Sequence, residues 1–171
     1  DAGVLAKFAH HEDTGEAIPA DLVATLRRAE EWGKGLQFGV QVFYGMVSLE
    51  LHGRSSIEAG GEPWNADALQ KFESELQARW SPFPYEEGTC FLASFGHLNG
   101  YAAAYYTYLW SLIIAKDLFG SFGSNLMDRA TADRYRQEVI GRGGSREANE
   151  LVRAFLGRDY AHEAFEDYLK S

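Results

Sequence analysis

The chain has 171 residues, 46% of them hydrophobic and 14% aromatic, enough to bury one sizeable core and too apolar for a disordered segment. Its 16 basic and 25 acidic side chains leave a formal charge of −9, which argues against a nucleic-acid backbone as partner. The single cysteine, Cys90, cannot form an internal disulfide, and the longest apolar run, Tyr101 to Ala115, is too short and too polar to span a membrane.

Helix is the recurring prediction along the chain. Leu5 to His10 reads as the end of a helix closed by a turn at Thr14-Gly15, and residues 13–20, with Pro19, as a connecting loop. Leu22, Leu26, Ala29, Leu36, Val40, Phe43, Val47 and Leu51 recur at three- and four-residue steps, predicting one long helix from about Ala20 to about His52. Gly33, Gly35, Gly39 and Gly45 interrupt it, each at a cost of roughly 0.5–1 kcal/mol relative to Ala, so close packing or a kink is expected there. Gly60-Gly-Glu-Pro63 marks a loop. Asn65 caps an amphipathic helix over Ala66–Trp80, which Ser81-Pro-Phe-Pro84 stops. Glu86 to Phe95 reads as partly extended, and a tyrosine-bearing helix follows as far as Gly120. Met127 to Ile140 predicts another helix closed by Gly141, Gly143 and Gly144, and two short helices over Arg146–Phe155 and Tyr160–Leu169 end the chain. The fold class expected is all-α, as a single helical domain or as part of a larger catalytic domain.

The stretch Phe95-Gly-His-Leu-Asn-Gly-Tyr-Ala-Ala-Ala-Tyr-Tyr-Thr-Tyr-Leu-Trp110 stands apart. On a helix, Tyr101, Tyr105 and Tyr108 at i, i+4 and i+7 would share one stripe, and a buried phenol needs a hydrogen-bond partner or forfeits about 1–3 kcal/mol. The structural alternative is a packed aromatic face. Tyr106, Trp110, Ile113 and Ile114 on the opposite side read as core. His97 has no second histidine or carboxylate at metal-ligand spacing. His11-Glu12 imitates the start of a metal motif but has Gly15 where the second histidine would stand, His162…Glu166 lacks a third ligand, and both read as solvated surface.

These residues resemble the glycine-rich loop and tyrosine helix of the thimet-oligopeptidase family of zinc metallopeptidases. Phe8-Ala-His-His-Glu-Asp-Thr-Gly-Glu-Ala-Ile-Pro19 is similar to that family's helix-loop signature, and Gln41-Val-Phe-Tyr44 with Leu51-His-Gly53 to its mitochondrial intermediate peptidase branch. Tyr135-Arg-Gln-Glu-Val-Ile-Gly-Arg-Gly-Gly-Ser145 and Phe165-Glu-Asp-Tyr-Leu169 resemble the C-terminal part of these enzymes. The chain carries one glycine between His97 and Tyr101, as that branch does, where thimet oligopeptidase itself carries two; Tyr105 and Tyr108 keep their register.

The family's chemistry rests on an HExxH helix and a further glutamate ligand, and none of the five histidines, His10, His11, His52, His97 and His162, forms that motif. The resemblance therefore implies the C-terminal portion of a larger enzyme, its metal-bearing segment lying upstream. Zinc is expected in the complete enzyme and none on this chain alone. Tyr105, Tyr108 and His97 carry over as catalytic residues, Tyr101, Gly96 and Gly100 as substrate-binding ones, the glycines allowing the loop to close over peptide. The expected partners are short peptide substrates and the upstream catalytic segment, with an exposed flank open to self-association. No targeting segment is in view, and the compartment expected is the cytoplasm. The alternative reading is a helical module that binds peptides or a protein and catalyses nothing.

Overall fold

A computed structural model describes residues 1–53 and 64–170; the loop expected at Gly60–Pro63 lies outside the described residues. The described chain is all-α, with one isolated antiparallel bridge, His10 to Ala17, as its sole β pairing. It divides into two compact units, residues 1–33 with 112–171, and residues 34–111.

In the first unit, α1 covers Ala2–Leu5, capped by Asp1, whose carboxylate accepts from the Val4 amide at 2.9 Å. The helix expected over Leu5–His10 is not formed. The chain turns there instead, and His10 pairs with Ala17 across a turn at Gly15, which carries φ +69. α2 (Ala20–Glu31) here and α3 (Lys34–Gly53), which belongs to the second unit, replace the single helix expected from Ala20 to His52. Trp32 leaves helical geometry at ψ 130, and Gly33 takes φ +75, a conformation that only glycine adopts cheaply. The hydrophobic steps run on across this break because periodicity reads side chains and not the backbone that joins them.

The rest of the first unit is built from the C-terminal part of α7 (Thr107–Gly120) and the elements after it. The helix expected over Met127–Ile140 is present as α8 (Arg129–Tyr135) running into a π turn, Arg136–Ile140. The Gly141 amide closes that turn on the Arg136 carbonyl at 2.7 Å, and a Cβ at Gly141 would stand 2.8 Å from the same oxygen. α9 (Ala148–Leu156) and α10 (Glu163–Lys170) begin two or three residues after their expected starts. Phe155, Val152 and Leu118 form the core, with Ile114, Phe122, Tyr135 and Tyr160 against it. Asp117, buried on α7, accepts from both terminal nitrogens of Arg158 at 2.7 Å and from the Ala161 amide at 2.8 Å.

In the second unit, α4 covers Ala66–Trp80 as expected, and Asn65 caps it by accepting from the Ala68 amide at 2.9 Å. Its apolar stripe packs Phe72 and Leu76 against Phe43 and Val47 of α3, with Phe95 and Tyr105 completing the core. Gly39 is one of the interrupting glycines with a packing reason: a Cβ there would meet the Pro82 ring at 3.1 Å. The segment expected to be extended before Phe95 is a turn at Glu86–Thr89 followed by a short helix, α5 (Phe91–Ser94).

Candidate active site

The tyrosine stripe does not lie on one helix. A single turn, α6 (His97–Gly100), is followed by a loop, and α7 begins only at Thr107. Ala103 carries φ +56, a left-handed conformation that costs an ordinary residue about 1–2 kcal/mol and bends the chain. Thr107 secures the restart by donating its hydroxyl to the Ala104 carbonyl at 2.6 Å. Tyr101 and Tyr105 therefore flank a bend, and Tyr108 alone of the three is helical. Tyr106 and Trp110, expected in the core, are 42% and 50% exposed.

The bend nevertheless brings the three rings together around His97. The imidazole lies 5.0 Å from the Tyr105 ring, 5.9 Å from Tyr108 and 5.8 Å from Tyr101, and Tyr105 and Tyr108 are 5.0 Å apart. His97 Nε2 and the Tyr108 hydroxyl share a hydrogen bond of 3.2 Å; either donates, according to which ring nitrogen bears the proton. Tyr108 and Tyr101 are 54% and 63% exposed, whereas Tyr105 is 8% exposed. The Tyr105 ring is held by Phe95 at 5.1 Å and Tyr44 at 5.6 Å, both edge-on, and its hydroxyl donates to Gln41 Oε1 at 3.1 Å. Burial pushes the Tyr105 phenol above its ordinary range, Tyr44 and Tyr108 add to that, and the Gln41 amide opposes it. Tyr105 thus stays protonated well beyond neutral pH.

Gly96 and Gly100 border the cluster without special backbone. Gly96 sits at φ −56 and ψ −23, Gly100 ends the α6 turn, and a Cβ at either would touch nothing within 4 Å. Neither is in the positive-φ conformation that requires glycine, which here falls to Ala103.

Three supporting residues escaped the sequence reading of the site. Gln41 appeared only as part of a resembling segment. Glu73, almost fully buried on α4, accepts from the amides of Phe91 at 3.2 Å and Leu92 at 3.3 Å, fixing the start of α5 and with it Phe91 and Phe95. A carboxylate inside the stripe Leu69, Phe72, Glu73, Leu76 was the available signal, since a buried charge has to be hydrogen-bonded. His52 on α3 faces the Ser48 carbonyl through Nδ1 at 2.8 Å and the Leu98 carbonyl through Nε2 at 3.3 Å, tying α6 to α3.

Among the described residues, no three His, Cys, Asp or Glu side chains converge on a point where a metal ion could sit. The groups that the cluster itself presents are hydroxyl and imidazole, and their chemistry is hydrogen-bond donation to an oxygen bearing negative charge and stacking against an extended ligand.

The chain belongs to peptidase family M3, whose family model matches residues 1–171. Mitochondrial intermediate peptidase of Mus musculus is 29% identical over 172 residues, which is 100% of this chain and 23% of that protein. The Homo sapiens protein of the same name is 31% identical over 157 residues, 91% of this chain and 21% of that protein. Oligopeptidase A of Escherichia coli (strain K12) is 29% identical over 160 residues, 91% of this chain and 22% of that protein. The chain spans less than a quarter of the length of these relatives.

Proposed function

We propose that this chain is the C-terminal, substrate-binding and transition-state-stabilising part of a zinc-dependent oligopeptidase that hydrolyses short peptides. The reading is supported by family membership, and the observation that carries it is a His97–Tyr108 hydrogen bond beside the buried phenol of Tyr105. When a peptide carbonyl is attacked, negative charge gathers on its oxygen, and donors aimed there lower the barrier. With its ring proton on Nε2, His97 donates to the Tyr108 oxygen, leaving the phenol's own hydrogen for the substrate. Tyr105, kept protonated by burial, supplies a second donor in a region of low dielectric, where such a bond is stronger than in water. The exposed ring of Tyr101 offers a face for the peptide to lie against. Zinc, in this reading, is held by the upstream segment of the larger enzyme, and none of these steps runs through it.

In the full-length enzyme, Tyr105→Phe and Tyr108→Phe are each expected to lower kcat by about 100-fold or more, with much smaller changes in KM, because each bond forms mainly as charge develops. Unchanged turnover in both variants would refute the reading and favour a module that only binds. The 171-residue chain by itself is expected to cleave no peptide and to hold no stoichiometric zinc; one tightly bound zinc per chain in metal analysis overturns that part.

A further inference from the structure

Tyr105 is held differently from its two neighbours. Four aromatic side chains, Tyr44, Phe95, His97 and Tyr108, close on its ring at centroid distances of 5.0–5.6 Å, so the ring is fixed and the hydroxyl hydrogen is its one free degree of motion. That hydrogen points at Gln41 Oε1, 3.1 Å away on α3, 64 residues earlier in the chain. A phenol has one hydrogen to give. While it bonds to Gln41 it is not available to a substrate oxygen, and turning it outward leaves the Gln41 carbonyl facing the bare phenol oxygen, an arrangement of two acceptors.

The terminal amide of glutamine resolves this conflict, because it carries a carbonyl acceptor and an NH2 donor on one plane. A half-turn of the amide replaces Oε1 by Nε2, which then donates to the Tyr105 oxygen. Donation into that oxygen polarises the phenol O–H and strengthens its own outward bond.

We infer that Gln41 is a positioning residue for Tyr105, accepting its hydroxyl hydrogen at rest and, with the amide reversed, donating to the phenol oxygen when that hydrogen turns to a substrate oxygen. The inference rests on the peptidase reading above for its substrate and on the Gln41–Tyr105 contact for its geometry. Glu at this position can only accept, and Met, of similar length, can do neither.

The test is kinetic and spectroscopic. In the full-length enzyme, Gln41→Met and Gln41→Glu should each lower kcat by about tenfold, the worth of one hydrogen bond, while KM stays within about twofold. Full activity in Gln41→Glu overturns the reversal, since an acceptor alone would then suffice. Full activity in Gln41→Met alongside a slow Tyr105→Phe overturns the role of Gln41 and leaves the peptidase reading standing; full activity in Gln41→Met, Tyr105→Phe and Tyr108→Phe alike overturns the two together. Ultraviolet titration of phenolate absorbance in the full-length enzyme reads the contact without any activity. The latest-titrating tyrosine, identified by its loss in Tyr105→Phe, should titrate later still in Gln41→Met, because the amide no longer supports the phenolate. An unmoved titration also overturns the inference, and if Gln41→Met does not fold, Gln41→Glu carries the kinetic comparison alone.

Discussion

Replacing Asp117 by Ala removes the acceptor for three hydrogen bonds at once: two from Arg158 at 2.7 Å and one from the Ala161 amide at 2.8 Å. Each charge-assisted bond contributes roughly 1.5–3 kcal/mol, but the Arg158 side chain is 53% exposed and returns to water when its partner is lost. The net cost is therefore set below the 3–5 kcal/mol typical of a fully buried broken pair, at about 2–3 kcal/mol. At roughly 2–4 °C per kcal/mol for a chain of this size, the thermal midpoint should fall by about 4–12 °C at pH 7. The Arg158 guanidinium, ahead of the Ala161 amide, holds the Asp117 carboxyl below its ordinary value of 3.8. A group depressed on folding adds stability above its unfolded value and loses it as pH falls through the folded one, so the gap between wild type and Asp117→Ala should narrow below about pH 4. Melting curves by circular dichroism at pH 7 and at stepwise lower pH check both statements. A midpoint unchanged at pH 7, or a gap that widens on acidification, would refute the reasoning.

Glu73→Leu removes the acceptor of the Phe91 and Leu92 amides and should cost about 2–3 kcal/mol, read from urea denaturation; an unshifted midpoint would show that α5 does not depend on it. Tyr105 gives the opposite pH limb. Its phenol is raised by burial, so the stability it contributes is complete below the unfolded value near 10 and is lost as pH rises through the higher folded one. Alkaline unfolding followed by fluorescence should thus be less steep in Tyr105→Phe than in wild type, and identical curves would count against a buried neutral phenol.

Local patterns in the sequence were sufficient for the helical class, for α4 with its Asn65 cap, and for the segment that holds the candidate site, because capping and amphipathic periodicity depend on neighbours within one or two turns. Two kinds of feature were not legible. The break at Trp32–Gly33 and the left-handed Ala103 are backbone choices that the hydrophobic steps on either side do not encode, and Tyr105, two residues past Ala103, is buried in a core with residues of α3 and α4 and with Phe95. The partners of the buried polar groups were equally hidden: Gln41 meets Tyr105 across 64 residues and Asp117 meets Arg158 across 41. The chain by itself specified which side chains are candidates for the site, Tyr101, Tyr105, Tyr108 and His97. Only the tertiary structure decided which phenol is buried, which are open, and that Tyr105 faces the Gln41 amide and Tyr108 the His97 imidazole, because those choices are made by long-range packing.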